Sequence, residues 1–219
     1  MGNYLLGFSI SLIGLCFLLF NTIYGFKIKR NIQQTSFLFF VSYLLIMFII
    51  EIFCHAIGIL KPGSNIFISH FYFNFQFILV SAFFAFLFRN SKEIQKGIII
   101  ISTFVFCIII RSYLMGYFSF WEFNLLEIGL TSIVLVSYIF LYFYINFEIS
   151  NVPFYNFFGG LAVYLLSSSL IFLTGNVELV FIEDPLIDIW VLNSILYIIF
   201  QFFIFKELKD FKKDKLFKY

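Results

Sequence analysis

Seven apolar runs, each about 20 residues long and parted by short polar breaks, dominate this 219-residue chain and restrict what it can fold into. The runs are read at about 4–25, 36–60, 66–88, 97–115, 120–146, 154–175 and 185–205. At 1.5 Å of rise per residue such a run spans the hydrocarbon core of a bilayer as an α-helix. Lipid offers no hydrogen bonds, so a run at that depth must satisfy its own backbone, and a helix does so. A large soluble core is excluded by the same pattern, because its elements would alternate apolar and polar faces. Composition agrees: 62% of residues are hydrophobic and 12% charged, against roughly 45–50% and 25% in soluble domains. The predicted fold class is all-α, a seven-transmembrane-helix bundle forming one membrane domain over 1–205, followed by a basic tail over 206–219.

Local signals place several ends. Ser119-Phe120-Trp121-Glu122 has the capping-box pattern and predicts the opening of the fifth helix. Asp184-Pro185 offers an N-cap followed by proline at the first helical position. Pro153 suits the start of the sixth span, and Lys61-Pro62-Gly63-Ser64-Asn65 breaks the second from the third. Lys27, Lys29, Arg30, Arg89, Lys92, Lys96, Lys206, Lys209, Lys212, Lys213, Lys215 and Lys218 all fall on one side of the predicted spans, leaving Lys61 and Arg111 for the other. The positive-inside rule then sets the N-terminus outside and the C-terminus in the cytoplasm, in a cytoplasmic membrane. The lysine-rich tail continues the last helix and meets anionic headgroups. Asn176 to Asp184 reads as an acidic outer connection, either a solvated loop or a cover over the outer opening.

The N-terminus does not read as a cleaved signal. Met1-Gly2-Asn3-Tyr4 has no basic residue ahead of the apolar run, and Leu6 stands where myristoylation wants Ser or Thr. Cys16, Cys54 and Cys107 lie inside apolar runs without metal-binding spacing and read as small hydrophobes.

Charge in hydrocarbon is costly, so its placement carries information. Glu51, His55, His70, Arg111, Glu122, Glu127 and Asp188 all fall in the outer half of the predicted spans. Helical spacing groups them further. Glu51 and His55, His70 and Asn74, and Asn193 and Tyr197 are each i,i+4 pairs, and Asn124, Glu127 and Thr131 form a stripe. An outward-facing polar pocket built from Glu51, His55, His70, Asn74, Arg111, Glu127, Asn193 and Tyr197 follows as the expected site. The inner half is poorer, with Asn21, Thr22 and Gln201. Glu122 and Asp188 have helix-start roles that explain them without the pocket. Gly7, Ser11, Gly14, Gly159 and Gly160 are read as close-packing positions.

Three kinds of chemistry fit these residues. The polar groups can be structural glue, with Arg111 paired to Glu51 or Glu127. They can line a pocket for a small solute or lipid headgroup, its histidines responding to acidity. Glu-x-x-x-His with a second His and Glu can start a metal site, or paired carboxylates can relay protons in a transporter. The chain has no HExxH, no HxxxH and no third histidine. No catalytic residue, metal or cofactor is assigned, and no nucleic-acid partner.

Out-to-in topology with seven helices is similar to the rhodopsin arrangement, but the seventh span lacks a lysine for a Schiff base, since Lys206 lies at its end. Seven-helix zinc hydrolases resembling ceramidases and adiponectin receptors need the HxxxH pair, and intramembrane serine proteases need GxSG; neither occurs. Phe48-Ile49-Ile50-Glu51, His70-Phe71-Tyr72-Phe73 and Trp190-Val191-Leu192-Asn193 resemble features of short seven-helix membrane proteins of unassigned function common in Bacteroidota. The layout is also similar to membrane input modules of bacterial sensor kinases, without an output domain. The resulting expectation is a sensory or regulatory membrane component acting through a separate signalling partner. A small-solute or proton-coupled transporter is the alternative, and an intramembrane metal-dependent hydrolase is the remoter one.

Overall fold

The structure, a computed structural model, describes residues 2–32, 34–60, 66–117, 119–121, 124–149, 151–181 and 189–213. Seven α-helices occupy them: α1 (Gly2–Lys29), α2 (Thr35–Leu60), α3 (Ile66–Leu87), α4 (Lys92–Leu114), α5 (Leu125–Ile145), α6 (Tyr155–Phe181) and α7 (Ile189–Lys213). All seven are long and apolar enough to cross a membrane. Their exposed positions are apolar at mid-helix: Phe20, Phe53, Ile100, Phe104, Ile133, Phe140 and Leu170 face outward. Water would penalise so many exposed large side chains, whereas lipid accepts them.

Several helix ends differ from the sequence reading. α5 opens at Leu125, five residues after the expected start at 120. Ser119 spends its hydroxyl locally, accepting the Trp121 N–H at 3.2 Å. The cap is supplied by Asn124, whose Oδ1 accepts the Glu127 N–H at 3.1 Å. α6 runs on to Phe181, so the first part of the expected outer connection is helical. α7 continues through Lys213, as expected of a tail that extends the last helix. Glu122, Asp184-Pro185, Asp188, the 61–65 break and residues 214–219 lie outside the described residues.

The chain divides into two compact units, residues 1–31 with 139–219, and residues 32–138, with the boundary inside α5. In the first unit α1 and α6 both pack on α7. Small residues set those approaches: a Cβ on Gly160 would lie 2.4 Å from Phe203 Cβ, and one on Gly14 would lie 2.9 Å from Tyr197. Gly159, expected to do the same, has open space where its Cβ would be. Deeper in this unit Asn21 donates to the backbone oxygen and the side-chain oxygen of Gln201, both at 3.0 Å.

Glu207 of α7 organises the start of α6. Its Oε1 accepts the Phe154 N–H at 2.8 Å, and its Oε2 accepts those of Asn156 at 2.9 Å and Phe157 at 3.2 Å. The first N–H groups of a helix have no partners within it, and Phe154 has no side-chain acceptor to offer. A buried carboxylate from the neighbouring helix fills that role. Phe154 itself takes φ 61°, a left-handed conformation costly for a residue with a side chain. The return is a fully buried ring that packs on Phe211 with centroids 4.9 Å apart.

In the second unit α3 packs on both α2 and α4. Phe37, Phe40, Val41, Leu44 and Met47 of α2, with Phe77, Phe83 and Phe84 of α3, form its buried apolar interior. Several polar groups there find partners on neighbouring helices. Gln76 donates to the Tyr43 hydroxyl at 3.1 Å, and Tyr138 joins Ser102 at 2.9 Å and donates to the Ile98 carbonyl at 3.1 Å.

Candidate functional site

The second unit holds a polar cluster drawn from three helices. His70 and Asn74 stand one turn apart on α3, Tyr113 near the end of α4, and Asn124 and Glu127 at the start of α5. The i,i+4 spacing puts His70 and Asn74 on one face of α3. The Asn124 cap fixes the rotation of the first turn of α5, and Thr131 Oγ1 donates to the Glu127 carbonyl at 2.8 Å. Glu127 thereby projects toward α3.

His70 Nδ1 lies 2.8 Å from Glu127 Oε2 and 2.9 Å from the Tyr113 hydroxyl. The Tyr113 hydroxyl donates to the same Glu127 oxygen at 2.5 Å and accepts from Asn124 Nδ2 at 3.1 Å. Asn74 Nδ2 donates to Glu127 Oε1 and, at 2.8 Å, to the His70 carbonyl. His70, Asn124 and Glu127 are buried, with Glu127 wholly out of solvent; Asn74 and Tyr113 are half-buried. Aromatic rings cover the histidine. Phe120 stacks on Tyr113 at 4.4 Å, and both present themselves edgewise to His70, with centroids 5.8 and 5.5 Å away.

Asn74 Nδ2 and the Tyr113 hydroxyl both donate to Glu127. Tyr113 has one hydroxyl proton and gives it to Glu127 across the shorter contact. His70 Nδ1 faces the same carboxyl oxygen and donates to it in the tautomer that carries its proton on that nitrogen. Two atoms of the cluster stay open: His70 Nε2 and Asn74 Oδ1 are buried and have no hydrogen-bond partner among the described residues.

The other expected site residues are placed differently. Glu51 and His55 pair with each other on α2: His55 Nδ1 is 2.8 Å from the Glu51 carbonyl and 3.5 Å from its carboxylate. Arg111 is exposed, and among the described residues it forms no ion pair with Glu51 or Glu127. The expected cation partner of Glu127 is replaced by His70, because a long side chain at a helix end reaches polar surroundings more cheaply than it enters the interior. Asn193 and Tyr197 belong to the first unit. Asn193 Oδ1 accepts the Ser168 hydroxyl at 2.8 Å, and Tyr197 packs against Tyr164 and over Gly14. Tyr113 was not among the expected site residues, because a tyrosine near a span end reads as an interface anchor. Its only sequence signal is its place near the end of α4, two residues after Arg111.

Among the described residues no group of three or more His, Cys, Asp or Glu side chains is arranged to hold a metal ion. No protein-family profile, curated protein or solved structure matches the chain.

Proposed function

We propose that this multi-pass membrane protein is a sensory or regulatory component of a cytoplasmic membrane, and that its input acts on the His70–Glu127–Tyr113 cluster. In this reading the N-terminus faces outside and the lysine-rich end faces the cytoplasm, where a separate signalling protein receives the output. One observation carries it: a histidine of α3 and a carboxylate of α5, both buried, meet beside Tyr113 of α4, and the histidine's Nε2 has no hydrogen-bond partner among the described residues. Buried polar groups in a bilayer are expensive, and two open atoms in one cluster of five hydrogen-bonded side chains mark it as a place where a ligand can bind.

The polar groups elsewhere favour sensing over transport. Gln76–Tyr43, Ser102–Tyr138 and Ser168–Asn193 each bind a near partner within their own unit. Matched pairs of this kind hold helices together, whereas a solute path needs polar groups left free to coordinate cargo. The test compares wild type with His70→Gln in the native host, after equal folded yield is established. Altered transcript or phosphorylation profiles support the sensory role. An unchanged profile, together with substrate-dependent uptake into proteoliposomes, would overturn it in favour of a transporter.

A further inference from the structure

We infer that a cavity walled by the end of α5, the start of α6 and the last turns of α7 is a binding site for a primary ammonium group, R–NH₃⁺, held by Asp210. The site lies in the first unit, apart from the His70 cluster, and does not depend on the sensory reading. The cavity has a volume of about 620 Å³, within the range of small-molecule pockets. Phe143, Asn146, Tyr155, Asn156, Asp210 and Phe211 contribute to its wall.

Charge selects a cation. Glu207 and Asp210 both line the cavity, and no Lys, Arg or His does among the described residues. The N-terminus of α6 would otherwise draw an anion, but Glu207 already accepts its N–H groups. The C-terminal end of α5 on the same wall favours positive charge. Asp210 is the carboxylate left to meet it. Its Oδ2 accepts Asn156 Nδ2 at 3.0 Å, and its Oδ1 has no hydrogen-bond partner among the described residues. Lys206 and Lys213 stand at i−4 and i+3 from it on α7, yet among the described residues Asp210 forms no ion pair with either.

Hydrogen bonding narrows the cation to one that brings donors. Asn146 Nδ2 donates to the Tyr142 carbonyl at 2.8 Å, and Asn156 Nδ2 donates to Asp210. Both partners only accept, so the orientation of each amide is fixed. Each Asn Oδ1 is left as an acceptor without a partner among the described residues. These oxygens and Asp210 Oδ1 call for N–H groups, which a primary ammonium supplies and a quaternary ammonium lacks. Phe143 and Tyr155, with ring centroids 5.0 Å apart, and buried Phe211 offer apolar contact to the carbon body and π faces to the cation. Two sources carry this chemistry, a dissolved amine and the aminoethyl headgroup of a phospholipid.

The experiment uses the full chain, delipidated in detergent, and two probes. Ethanolammonium and choline share a hydroxyethyl body, and only the first has N–H donors. Saturation-transfer NMR from protein to probe measures binding. Ethanolammonium is expected to bind, and choline to bind at least about tenfold more weakly. Asp210→Asn keeps an oxygen for Asn156 and removes the charge, and it should weaken ethanolammonium by at least about tenfold. Equal binding by wild type and Asp210→Asn, choline binding as tight as ethanolammonium, or transfer to neither probe overturns the inference. If Asp210→Asn fails to fold, Asn146→Leu takes its place: weaker ethanolammonium binding supports the site, and unchanged binding overturns it. A final arm repeats the titration in phosphatidylcholine nanodiscs with and without phosphatidylethanolamine. Ethanolammonium displaced by phosphatidylethanolamine identifies the headgroup as the ligand; ethanolammonium bound equally in both identifies the dissolved amine. Either result retains the ammonium site.

Discussion

His70 Nδ1 and Glu127 Oε2 meet at 2.8 Å between α3 and α5, both side chains out of solvent. Breaking a buried pair by deleting one member is costly, because the survivor keeps its desolvation without its partner. Glu127→Ala is therefore expected to destabilise the folded protein by about 3–5 kcal/mol. Thermal unfolding in detergent, followed by circular dichroism, measures it. A loss under 1 kcal/mol would mean that the pair holds nothing together.

Tyr113 gives its hydroxyl proton to Glu127 and accepts from Asn124. Tyr113→Phe keeps the ring that stacks on Phe120 and removes only the oxygen. The expected loss is about 1–3 kcal/mol, the cost of leaving buried partners unsatisfied. The Asn124→Ala variant should lose less on the Tyr113→Phe background than alone, since the two share a bond; a double-mutant cycle reads that coupling.

Glu207 accepts three backbone N–H groups at the start of α6. Glu207→Ala orphans all three, and hydrogen exchange at Phe154, Asn156 and Phe157 should accelerate by at least tenfold. Glu207→Gln retains one acceptor oxygen and should fall between wild type and alanine. Equal exchange in all three proteins would show that the turn is held by packing alone.

Adjacent glycines on α6 should respond in opposite ways. A methyl group on Gly160 meets Phe203, so Gly160→Ala overpacks the α6–α7 contact and costs about 1–3 kcal/mol. Gly159 faces open space, and Gly159→Ala should be neutral or stabilise by up to about 1 kcal/mol through helix propensity. Paired unfolding curves separate them, and similar losses at both positions would contradict the packing described.

The seven spans were legible in the sequence because hydropathy over about 20 residues is set by solvent rather than by any single contact. Their ends were less so. Ser119…Glu122 and Asn124…Glu127 both offer capping residues, and only the folded chain shows that Asn124 accepts the Glu127 N–H. Within the site, His70, Asn74 and Glu127 could be picked out because polar residues in an apolar run are conspicuous and their spacing fixes their face. Tyr113 could not, since tyrosine is at home near any span end. The pairing of Arg111 was misjudged because opposite charges suggest a partnership that a flexible cation at a helix end has no need to enter. Glu207 was hidden by its setting: a carboxylate among lysines on a basic helix end reads as facing headgroups until the first turn of α6 is seen against it.

That carboxylate ties an early event in synthesis to a late one. Ribosomes deliver α6 before α7, so the nascent sixth helix enters the membrane with three amide hydrogens still waiting. A chain that ends before residue 207 has no carboxylate to meet them. The first turn of the sixth helix is therefore finished only by the helix that follows it.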